Sequence, residues 1–143
     1  MKTIAKALKE KNKLKNEIAL LQKKMNSHNS ILKGNKRPVD LQTVDSELIE
    51  KIDLLIALKN AITKANQPVQ EKIYKLAELR GMISFYRNLP VTEGLYRSSY
   101  GNEPLAYEAF FNESVIDEKV KKLNLEAETL QEELETFNYK TYL

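Results

Sequence analysis

Few residues in this chain could carry chemistry, and their spacing decides what they can do. His28 is the single histidine. A general base needs a partner that orients it, and nothing around His28 supplies one. Glu128 and Glu132 stand one helical turn apart in an acidic run that also holds Glu126, Glu133 and Glu135. Di-iron bundles use such a pair, but they combine it with inward Glu-x-x-His motifs. Neither motif occurs here, so the run reads as a solvated face. Ser98 and Ser99 lack a His/Asp partner set, and there is no glycine-rich phosphate loop. The chain has no cysteine, which excludes disulfides, thiolate catalysis and thiolate metal ligands. The expectation is a protein that is not an enzyme, with no catalytic residues, no metal, no cofactor and no evident small-molecule substrate.

Two groups of residues point to binding instead. Residues 90–112 hold two glycines, two prolines and the aromatics Tyr96, Tyr100, Tyr107, Phe110 and Phe111, and the helical period is lost there. Tyr100 to Pro104 reads as a turn between extended arms at 95–100 and 105–111. That many aromatics argue for an ordered excursion, since disordered segments have few. Tyrosine and phenylalanine concentrated in a loop suit a protein–protein contact, and they equally suit a flap over the chain's own core. A two-stranded ribbon alone is marginal, so it must pack on the bundle or on a partner. The second group is Lys2, Lys6, Lys9, Lys13 and Lys15, a basic start that could meet nucleic-acid phosphates. No aromatic platform, arginine cluster or recognition motif accompanies it.

The elements that must position these residues are helices. Residues 44–89 carry apolar residues on more than one helical face and predict a buried central hairpin, interrupted at Asn66-Gln67-Pro68. Leu48, Ile52, Leu55 and Ile62 form one stripe; Ile49 with Ile56, and Leu54 with Leu58 and Ala61, widen it. Asp45 or Ser46 can cap this helix, and Pro68 ends it. Val69, Ile73, Leu76, Ile83 and Leu89 resume the period. Gly81, in mid-helix, costs about 1 kcal/mol relative to alanine and predicts a close helix–helix approach.

The chain's start reads as a long amphipathic helix capped by Thr3, with Ile4, Ala7, Leu14, Ile18, Leu21 and Met25 on a heptad seam that Lys11 and His28 interrupt. Such a helix spans roughly 40 Å. Residues 33–43 read as a loop exposed to proteolysis, with Gly34-Asn35 favouring left-handed backbone. Asn112 or Ser114 caps the last helix, where Ile116, Val120, Leu123, Ala127, Leu130, Leu134 and Phe137 hold a strict heptad seam. The expected helices lie near residues 3–31, 45–66, 69–89 and 114–138.

Length and composition bound the whole. At 143 residues, with 30% charged residues and four glycines, the chain suits one all-α domain, an antiparallel helical bundle with long coiled-coil-like terminal helices and a short aromatic excursion before the last. No run of about 18 apolar residues exists and the start lacks the apolar core of a signal peptide, so the expectation is no membrane partner and a cytoplasmic protein. Charge is sorted: residues 1–37 hold eleven Lys/Arg against two Asp/Glu, and residues 113–135 hold three Lys against eight Asp/Glu. The terminal helices are thus electrostatic complements. They predict packing side by side, within one chain or between chains of a homo-oligomer, with Leu130, Leu134 and Phe137 joining the aromatics at the interface.

Leu55-Ile56-Ala57 with Ile62 and Asn66, Leu79-Arg80, Arg87-Asn88-Leu89, Tyr96-Arg97-Ser98 and the ending Asn138-Tyr139-Lys140-Thr141-Tyr142-Leu143 together resemble a family of small bacterial all-helical proteins labelled septicolysin. The ending is similar to that family's Asn-Trp-x-Thr-x-Leu tail and is the most specific of these motifs. The chain departs from the pattern at Tyr139, at Thr63 and in a longer excursion. The resemblance implies an all-helical fold and brings no established activity. Its label suggests pore formation, which a chain without secretion signal or inserting segment does not support. The functional expectation is a non-enzymatic oligomerisation or scaffold module. The alternative is a nucleic-acid-binding helical protein using the five lysines.

Overall fold

A computed structural model describes residues 1–97, 101 and 103–143. The described chain is all-α: α1 (Ile4–His28), α2 (Leu41–Ala65), a 3-10 turn (Gln67–Val69), α3 (Gln70–Arg87) and α4 (Glu113–Lys140), with a ribbon of β1 (Gly94–Tyr96) and β2 (Leu105–Tyr107) before α4. No described helix is long and apolar enough to cross a membrane. The chain divides into two compact units, residues 1–68 with 135–143, and residues 69–134.

In the first unit α1 and α2 form an antiparallel pair. Thr3 Oγ1 accepts from Lys6 N–H at 3.2 Å, satisfying one of the orphan donors of the first turn as its position predicts. Ile4, Ala7, Ile18, Leu21, Val44 and Ile62 are buried. The heptad spacing of α1 puts the first four on one face, and the stripe of Val44, Leu48, Leu55 and Ile62 gives α2 its inward side. The chain's two ends meet here. Ile4 N–H donates to the Thr141 carbonyl at 2.9 Å, Leu143 N–H donates to the Lys2 carbonyl at 3.0 Å, and Thr3 pairs antiparallel with Tyr142. The tail that carries the sequence resemblance therefore clasps the start of α1, beside the fully buried Ile4.

In the second unit α3 and the residues of α4 up to Leu134 run antiparallel, with Lys72 near Glu133 at one end and Lys119 over Tyr86 at the other. Val69, Leu76, Leu79, Ile83, Ile116, Val120, Ala127, Leu130 and Leu134 are buried. Asn112 caps α4, its Oδ1 accepting from Val115 N–H at 3.0 Å.

Four sequence expectations are corrected. α2 starts at Leu41, four residues before the predicted cap region, because Asp40 is the cap: its Oδ1 accepts from Gln42 N–H at 3.0 Å and its Oδ2 from the Thr43 hydroxyl at 2.9 Å. Ser46 lies inside the helix and its hydroxyl donates to the Gln42 carbonyl. α2 is not buried on several faces, since Ile49, Leu54 and Ile56 stay exposed. Gly81 marks no close approach: a Cβ built there would meet nothing within 4 Å. Finally, the second extended arm is shorter than predicted, spanning Leu105–Tyr107, while residues 98–100 of the first lie outside the described residues.

Candidate functional site

The ribbon and the residues just before α4 bring together four exposed aromatic side chains, Tyr96, Tyr107, Phe110 and Phe111. Gly94 pairs with Tyr107, Leu95 with Ala106 and Tyr96 with Leu105. Alternation puts Tyr96 and Tyr107 on one face, diagonal to each other, where their rings meet edge to face at 6.2 Å. Gly94 has φ +87°, a left-handed conformation that glycine adopts without steric cost, so the chain turns into β1 there. Both strands are exposed along their whole length. A single pair of strands this short is marginal in isolation.

The ribbon leads into Phe110 and Phe111, whose rings also meet edge to face, at 4.8 Å. Phe110 is 91% exposed. Phe111 is held by Lys119 of α4, whose ammonium stands 4.9 Å from that ring and 5.8 Å from the Tyr86 ring of α3. A cation between two ring faces gains on the order of 0.5 to 1 kcal/mol per contact at exposed sites. This anchors one end of the aromatic group to the helices and leaves Tyr96, Tyr107 and Phe110 presented outward. Tyr100, Ser98 and Ser99 lie outside the described residues.

The remaining residues singled out by sequence go elsewhere. Leu130 and Leu134 are each 8% exposed, so the heptad seam of α4 is already used by the chain itself. Phe137 is half-buried. The acidic run of α4 is engaged by α3: Lys72 Nζ lies 2.9 Å from Glu133 and Lys75 Nζ 2.8 Å from Glu126. Arg80 donates to Gln131 Oε1 at 2.6 Å beside them. Hydrogen bonding and attraction from Glu126 raise the Lys75 pKa above the ordinary lysine value. Glu128 and Glu132 stay exposed, and among the described residues no group of three His, Asp or Glu side chains could hold a metal ion.

Lys2, just before α1, pairs with Glu10 of that helix, and Lys13 approaches Glu17 at 3.9 Å. Glu17 belongs chiefly to Lys51 of α2, which donates to it at 2.9 Å. That hydrogen bond holds the Glu17 carboxyl below its ordinary pKa and lifts the Lys51 ammonium above its own. Lys6, Lys9 and Lys15 are exposed and have no ion pair among the described residues. Lys6, Lys9 and Lys13 share the side of α1 opposite its buried stripe, and Lys15 is set apart from them around the helix.

Sequence reasoning missed Arg37. Its Nε donates to the His28 carbonyl at 3.1 Å and its Nη2 to the Asn29 carbonyl at 2.9 Å. It thus caps the end of α1, where helix carbonyls lack partners and a cation is favoured. The signal was the lone arginine of a lysine-rich loop, the residue whose planar fork suits two adjacent acceptors. No family model, curated protein or solved structure matches the chain.

Proposed function

We propose that the chain is a non-enzymatic helical module that works through protein–protein contacts, first of all with copies of itself. The observation that carries this reading is the ribbon, whose exposed Tyr96 and Tyr107 continue into a nearly fully exposed Phe110. Aromatic side chains held on a rigid support are the residues that anchor interfaces, because they bury large areas with few rotors to fix. Light scattering across a dilution series tests it. A mass that rises above 16.5 kDa with concentration is expected; the monomer mass at every concentration up to the high micromolar range overturns it.

A second reading has its own support. Lys6 and Lys9, exposed and without ion pairs on one side of α1, offer a small patch for phosphates. Retention of single- or double-stranded DNA or RNA that falls steeply with salt, and that weakens in a Lys6→Ala/Lys9→Ala variant, would favour it over the first.

A further inference from the structure

α2 carries a second apolar stripe that the chain leaves open. Asp45, Ile49, Ile52, Ile56, Lys59 and Thr63 follow one another at alternating steps of four and three residues, the spacing of a coiled-coil seam. The stripe lies roughly 100° around the helix from the inward one. Ile49 is 54% and Ile56 60% exposed, and Ile52 between them is half-buried. Unlike the heptad leucines of α4, Ile49 and Ile56 are more than half exposed.

Within the stripe two opposite charges are placed symmetrically about Ile52. Asp45 lies seven residues before Ile52 and Lys59 seven residues after it. Neither has an ion pair among the described residues. Reversed about Ile52, the stretch from Asp45 to Lys59 sets each charge against its opposite.

We propose that this stripe is a two-fold contact between copies of the chain, in which two α2 helices pack antiparallel about Ile52. Ile52 then meets its symmetry mate, Ile49 and Ile56 interleave with Ile56 and Ile49 of the other copy, and Asp45 faces Lys59 at both ends. A parallel pairing would set Asp45 against Asp45 and Lys59 against Lys59, so the charges choose the direction. The contact is isologous, as a closed dimer requires. One seam of this length buries less than the roughly 1,200–2,000 Å² of stable complexes, so the dimer is weak and in rapid exchange. The inference rests on the self-association reading above and names the face that carries it.

The cysteine-free chain makes the register directly testable, because each introduced thiol is unique. Full-length Ile52→Cys should form a disulfide-linked dimer under mild oxidation. Lys59→Cys alone should not, since its two copies would stand about 20 Å apart along the helices. An equimolar mixture of Asp45→Cys and Lys59→Cys should give the cross-linked pair. In sedimentation equilibrium, Asp45→Lys and Lys59→Asp should each weaken the dimer by about tenfold, and the double variant should restore it. Circular dichroism establishes that each variant keeps its helices, and the exposed Lys59 variants carry the test should a change at Ile52 or Asp45 unfold the chain. A dimer that ignores both single charge reversals, with no preferential cross-linking at Ile52, overturns this face while leaving self-association standing. A monomer at every concentration overturns both.

Discussion

Ile4 is the side chain on which most converges. It is fully buried, it opens α1, and its amide donates to the last strand-like residues of the chain. Truncation would remove apolar contacts and leave a void that a clasped terminus cannot easily close. Ile4→Ala is expected to cost about 2 to 5 kcal/mol in a denaturant titration. Gly81 has the opposite character. It sits on an exposed part of α3, and a methyl group added there meets open space. Only its backbone entropy matters, so Gly81→Ala should stabilise by about 1 kcal/mol, with a higher melting temperature. A loss of stability would mean that something does approach this position. The sequence marks Gly81 as unusual but cannot say why, because an unforced glycine and one required by a neighbour look alike in a single chain.

At the scale of elements, helix existence is legible and helix ends are less so. The three- and four-residue recurrence of apolar residues finds all four helices, and Thr3 and Asn112 announce their own caps. Asp40 is overlooked because Asp45 and Ser46 lie nearer the densest apolar run, although Val44 already belongs to the inward stripe. The wide apolar surface of α2 predicts burial on more than one side. Packing within the chain, which periodicity does not encode, instead leaves Ile49, Leu54 and Ile56 exposed. The connection between α1 and α2 is similarly under-read: local signs make it a loose loop, and Gly34 does adopt φ +93°. Arg37 nevertheless ties it to the end of α1. Arg37→Ala should release that tie, costing about 1 kcal/mol and accelerating tryptic cleavage after Lys33 and Lys36. Unchanged cleavage rates at these two sites would show that the carbonyl contacts do not order the loop.

For the molecule as a whole, the cross-helix ion pairs among the described residues join α1 to α2 and α3 to α4. Glu17, one of the two acids in the basic start of the chain, meets Lys51 of α2, and Glu126 and Glu133 in the acidic stretch of α4 meet Lys75 and Lys72 of α3. Net charge along a chain shows that opposite signs must be accommodated, but the neighbour is set by which helices pack. These pairs fix the pH response. The Glu17 carboxyl is lowered by its hydrogen bond to Lys51, and the Asp40 carboxyl by its bonds to Thr43 and the Gln42 amide. A lowered folded-state pKa gives stability that is present above the unfolded carboxylate value and is lost as pH falls through the folded one. Lys51 and Lys75 are raised, so their contribution is complete below the unfolded lysine value and disappears as pH climbs through the raised values. Stability should therefore form a plateau between the carboxylate and lysine ranges and fall on both sides. Glu17→Gln isolates one part of that response. Its melting temperature should lie below that of the parent at neutral pH, and the difference should close as acid protonates Glu17 in the parent. Because the pair is only partly covered, with side chains 24% and 32% exposed, added salt should also narrow the gap at neutral pH. A difference that stays constant from neutral to acid pH would assign the effect of Glu17 to its packing against α2 and remove the Lys51 hydrogen bond as its cause.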